Sequence, residues 1–104
     1  MNDSMTGKVQ TVLGPVSPDA LGKTLAHEHL LIDLECYFEQ PEEATERAYI
    51  DAKVTKANRG ALPARWRQNL DQMKLLDESV ATHEVNMFRL AGGGTIVDVT
   101  SKGI

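Results

Sequence analysis

Three consecutive glycines, Gly92, Gly93 and Gly94, separate two kinds of segment in the later part of the chain. Ahead of them a helical pattern runs from Ala64. Trp66, Leu70, Met73 and Leu76 step by three and four, and Val80, Val85 and Phe88 continue the stripe. A helix does not run through a glycine triplet, so the pattern predicts its end at Ala91. Beyond the triplet, Thr95-Ile96-Val97-Asp98-Val99-Thr100 is a β-branched run that predicts a strand. Upstream, Lys23 to Leu31 is a second extended run, opened by Gly22. Strand, helix and strand at this spacing predict a right-handed parallel crossover. Parallel strands need both faces covered, and one helix with two strands cannot supply that cover. Residues 1–104 therefore read as a single partial domain, the opening of a larger α/β domain cut off at Ile104.

The N-terminal part is simpler. Val9-Gln10-Thr11-Val12-Leu13 alternates apolar and polar, Gly14-Pro15 stops it, and Ser17-Pro18-Asp19 is turn chemistry. A β-hairpin over roughly 9–26 is expected. The stretch from Asp33 to Pro63 is irregular, with Glu39, Glu42, Glu43 and Glu46 followed by Lys53, Lys56 and Arg59. It predicts a long loop with one helical patch at 42–57 and a solvated charged face. Loops of this length are often functional lids.

The chemistry concentrates at Thr24-Leu25-Ala26-His27-Glu28-His29-Leu30. In an extended strand, residues i and i+2 point to one side, so both imidazoles are expected on one face with Leu25 below them. Two imidazole nitrogens can share a metal ion, and imidazole suits zinc, iron, cobalt, nickel and copper. The pair would supply two of the three or four protein ligands that a catalytic zinc site needs. The bland alternative is two surface histidines on an edge strand.

Other candidates are weaker. His83 lies in the helical stretch beside Glu84 and lacks the second histidine of a zinc-protease helix, so it reads as an exposed helix residue. Asp98 and Thr100 share one face of the second strand. Asp98 reads first as a hydrogen-bonded structural residue, with orientation of a histidine ligand as the alternative. Cys36 has no neighbouring ligand pattern and reads as a buried small residue or an inert thiol.

The formal charge of −4 argues against non-specific nucleic-acid binding, which needs a basic face. One cysteine permits no internal disulfide, which suits a reducing compartment. The first residues carry no apolar signal core, and no stretch approaches a membrane span. The expectation is a cytoplasmic protein acting on a small molecule, without a nucleic-acid or membrane partner. Its oligomeric state is open, a homodimer included.

Three segments together resemble the phosphotriesterase family, and within it the phosphotriesterase-related branch of the amidohydrolase superfamily. They are Val9 to Pro15, Leu25-Ala26-His27-Glu28-His29, and Gly92 to Thr100. The resemblance implies the N-terminal part of a (β/α)8 TIM barrel, preceded by a short β-hairpin, with the site at the C-terminal ends of the strands. It implies that His27 and His29 bind one of two bridged divalent metals, usually zinc. Glu28 is not carried over as a ligand. In the family a metal-bound hydroxide attacks a phosphotriester, carboxyl ester or lactone centre. The family's other ligands, a carboxylated lysine, two histidines and an aspartate, come from later strands, and Lys102 does not match the lysine's context. A whole barrel takes about 250 residues, so this segment is expected to be inactive alone. A lactonase or amidase of the same superfamily is an alternative reading. A non-catalytic truncated chain or small binding module is another.

Overall fold

The structure is a computed structural model and describes residues 5–104. It opens with a hairpin of β1 (Val9–Thr11) and β2 (Gly14–Val16), antiparallel, with Val9 opposite Val16 and Thr11 opposite Gly14. The Thr11 hydroxyl makes the turn. It donates to the Gly14 carbonyl at 2.7 Å and accepts from the Leu13 N–H at 3.2 Å. The hairpin is thus shorter than the expected 9–26. A 3-10 turn at Pro18–Ala20 and a left-handed Gly22 (φ 63°) redirect the chain before the next strand.

That strand, β3 (Lys23–Glu28), pairs in parallel with β6 (Gly93–Asp98) at the far end of the chain. Helix α1 (Glu78–Leu90) lies between them in sequence, so the predicted strand–helix–strand order holds. The glycine triplet has a separate reason at each position. Gly92 has φ 98°, the left-handed conformation that commonly follows a helix. A Cβ on Gly93 would overlap the Phe88 ring, and one on Gly94 would overlap the Leu21 carbonyl. Thr95 secures the same approach by donating its hydroxyl to Leu21 O at 2.6 Å.

The helix starts later than the apolar stripe predicts. Asp77 is its N-cap, accepting from the backbone N–H of Ser79 at 2.8 Å and of Val80 at 3.1 Å. The earlier part of the stripe lies in two 3-10 segments, Pro63–Gln68 and Asp71–Met73, and Arg65 is non-helical. Its apolar residues serve a local lobe instead. Leu62, Met73 and Asn69 are fully buried there. The Asn69 amide donates to the carbonyls of Tyr49 (2.6 Å) and Ala52 (2.8 Å) and accepts from Gln72 N–H at 3.0 Å. These bonds pair part-buried backbone groups of the loop with the buried Asn69 amide.

The long loop is therefore ordered, but its expected helical patch at 42–57 shrinks to a 3-10 segment, Ala44–Tyr49. The acidic run is also only partly a solvated face. Glu39 pairs with Arg67 at 2.7 Å and Glu46 with Arg65, while Glu42 and Glu43 are exposed. A two-residue ribbon of β4 (Ile32–Asp33) and β5 (Lys74–Leu75) closes the loop at its base. Cys36 is exposed, not buried, because it lies on a 3-10 turn just beyond β4.

Away from this lobe little is enclosed. Among the described residues the buried apolar side chains are Ile32, Pro41, Leu62 and Met73, and α1 buries none. Leu76, Val80, Met87 and Leu90 are all more than half exposed. The radius of gyration is 18.4 Å, against about 13 Å for a closed domain of this length. The strand–helix–strand unit is folded locally, and its faces lack the cover that parallel strands require.

Candidate metal centre

His27 is the penultimate residue of β3, and His29 lies one residue past the strand's end. Their ring centroids are 5.4 Å apart at an interplanar angle of 78°. His27 is exposed and His29 half-buried. The structure thus brings the two imidazoles together, though not by simple alternation. Leu25 pairs with Ile96 and Glu28 with Asp98, so three steps along β3 face two along β6. The extra residue is a β-bulge at Ala26–His27, a device that re-aims side chains beside sites. Leu25 accordingly shares a cavity with His29 but not with His27. With Ile96, Val80 and Phe88 it lines an apolar cavity of about 580 Å³ against α1, which Glu28 and His29 also border and His27 does not.

The end of β6 meets the end of β3 at this point. Val99 N–H donates to Glu28 O at 3.0 Å, continuing the pairing past Asp98. Nδ1 of His29 is 2.9 Å from the Thr100 hydroxyl. Asp98 is occupied on both oxygens. Oδ1 accepts from Thr100 N–H at 2.8 Å and Oδ2 from Leu30 N–H at 3.2 Å. The Thr100 side chain, then these backbone donors, hold the Asp98 carboxyl below its ordinary range, with the nearby His29 contributing least. Asp98 therefore ties the two strand ends together. Thr100 is the residue that touches a histidine. The shared face of Asp98 and Thr100 was the only signal for this in the sequence.

The donor set has the right chemistry for zinc and is incomplete. Two imidazoles are ligands zinc takes. Among the described residues no group of three His, Cys, Asp or Glu side chains could hold a metal ion. His83 is exposed on α1 and Cys36 is exposed in the loop, so neither joins the pair. Among the described residues, no helix is long and apolar enough to cross a membrane.

Known proteins resemble this chain along most of its length. The chain is 41% identical over 102 residues to an N-acetyltaurine hydrolase of Xenopus tropicalis, covering 97% of this chain and 29% of that protein. It is 34% identical to a phosphotriesterase-related protein of Drosophila willistoni, covering 92% of this chain and 28% of that one. The chain thus spans less than a third of the length of these relatives. Among solved structures, a resiniferatoxin-binding protein from Rhodobacter sphaeroides superposes with a TM-score of 0.84 at 35% identity, covering 91% of this chain and 26% of that one. The profile of the phosphotriesterase family matches residues 7–104, so the chain belongs to the phosphotriesterase family.

Proposed function

We propose that this segment supplies the first two strands of a (β/α)8 barrel in a metal-dependent hydrolase, and that His27 and His29 are ligands of one of its two zinc ions. One observation carries the reading: two imidazoles with ring centroids 5.4 Å apart at the C-terminal end of a parallel strand. Barrel enzymes place their chemistry at that end. The open faces of β3, β6 and α1 favour a unit completed by further strands and helices. The remaining ligands come from outside the described residues, since Asp98 is committed to backbone N–H groups. When bound, the metal supplies Lewis acidity toward the substrate oxygen and lowers the pKa of water. The chain's own residues hold and orient the imidazoles, and the bulge at Ala26–His27 turns His27 away from the cavity under α1.

The bond cleaved is read as an acyl bond. The Xenopus, Salmo salar and Tetraodon nigroviridis relatives are named for N-acetyltaurine, an amide, which favours the amidase form of this reading. The family name and the Drosophila relative keep an ester or phosphotriester substrate as the second reading.

The experiment uses the full-length protein. Replacing His27 and His29 together with Ala is expected to remove one metal equivalent in elemental analysis and to abolish hydrolysis. Unchanged metal content would sink the ligand assignment. Assay of N-acetyltaurine against carboxyl-ester, lactone and phosphotriester substrates then separates the two bond classes.

A further inference from the structure

The contact between His29 and Thr100 engages one nitrogen of the ring and leaves the other free. An ionised carboxylate only accepts hydrogen bonds, whereas a hydroxyl both donates and accepts. Asp98 Oδ1 accepts from the Thr100 backbone N–H at 2.8 Å, which fixes the backbone that carries the hydroxyl. That hydroxyl stands 2.9 Å from Nδ1 of His29, so Nε2 is the ring nitrogen that the contact leaves free. A neutral ring that donates from Nδ1–H to the hydroxyl has its lone pair on Nε2.

We propose that Thr100 is a positioning residue that holds His29 as its Nδ1–H tautomer, with Asp98 fixing the Thr100 backbone, so that Nε2 is the atom presented to a metal ion. The proposal rests on the reading of His29 as a ligand. The arrangement also fixes the ring in space. Asp98 binds Leu30 N–H on β3's side and Thr100 N–H on β6's side, so the two strand ends that carry His29 and Thr100 move together. A hydrogen-bonded partner on the second nitrogen is how metal-binding histidines are generally oriented, and losing it lowers metal affinity.

Two measurements on the full-length protein test this. In the metal-free protein, above the imidazole titration range, two-bond 15N–1H correlation spectra are expected to show His29 as the Nδ1–H form. A dominant Nε2–H form overturns the proposal, and this arm needs no variant. In the second, Zn2+ affinity is read by chelator competition. Thr100→Val is expected to weaken binding by about 10- to 100-fold, and Thr100→Ser to restore it to within a few-fold. Wild-type affinity in Thr100→Val overturns the positioning role. His29→Ala separates the two readings. If it leaves Zn2+ affinity unchanged, the ligand assignment falls and the positioning role with it. If His29→Ala weakens binding and Thr100→Val does not, the positioning role alone is wrong.

Discussion

Nδ1 of His29 and the hydroxyl of Thr100 stand 2.9 Å apart although 71 positions separate them in sequence. The contact exists because β3 and β6 are parallel and in a register that ends both strands at one level. That register depends on close approach of backbone to backbone at the other end of the pair, where Leu21 and Gly94 meet. The candidate site and the glycine triplet are opposite ends of one structural device.

Gly94→Ala is therefore expected to be costly. The added Cβ meets the Leu21 carbonyl, which is backbone and cannot rotate away. Overpacking of this kind costs about 1–3 kcal/mol. Gly60 is the control, since a Cβ there meets nothing within 4 Å and its φ is ordinary. Gly60→Ala should stay within about 0.5 kcal/mol of wild type. Urea unfolding of the two variants in the full-length protein checks the pair, and equal stabilities would refute the account of Gly94.

Asn69→Ala is expected to loosen the loop lobe. It leaves the part-buried carbonyls of Tyr49 and Ala52 without their donor and Gln72 N–H without its acceptor. A loss of about 3 kcal/mol is expected. Hydrogen exchange should rise across 49–73 while α1 and β6 keep their protection. Uniform loss of protection would mean that the lobe is not a separate unit.

These two sites show what the sequence could and could not disclose. The glycine triplet and the β-branched run after it are local patterns, and each led to the right element; the histidine pair is local too, and its rings do lie together. The start of α1 was not legible. Trp66, Leu70 and Met73 have helical spacing, but Asn69 finds its partners 17 and 20 positions upstream, and that tertiary demand breaks the helix into 3-10 turns. The bulge at Ala26–His27 carries no glycine or proline to announce it. Strict alternation along β3 therefore does not hold: Leu25 shares a cavity with His29 and not with His27.

The acid limit of α1 should follow its N-cap. Hydrogen bonds from the Ser79 side chain, then from Val80 N–H and Ser79 N–H, lower the Asp77 pKa from its ordinary 3.8. A carboxyl with a depressed folded-state pKa stabilises the fold above its unfolded-state value. That stabilisation is lost as pH falls through the folded-state value. Far-UV circular dichroism should thus show α1 weakening below about pH 4. Asp77→Asn keeps a good cap without a titrating group, so it should flatten this part of the acid dependence. An unchanged acid profile in that variant would show that the cap is not its source.

The 104-residue chain on its own should unfold with little cooperativity. Its helix buries no residue among those described, and Leu76, Val80, Met87 and Leu90 of the β5–α1 region stand more than half exposed. Cooperative transitions arise where one core is lost as a unit, and among the described residues the enclosed apolar side chains are Ile32, Pro41, Leu62 and Met73. The isolated chain should bind an apolar-surface dye strongly and show a broad calorimetric trace. Addition of a polypeptide carrying the rest of a relative's chain should sharpen that trace and suppress dye binding, if it covers the faces of β3, β6 and α1. A sharp transition from the 104-residue chain alone would show that these faces are stable in water and that the unit needs no completion.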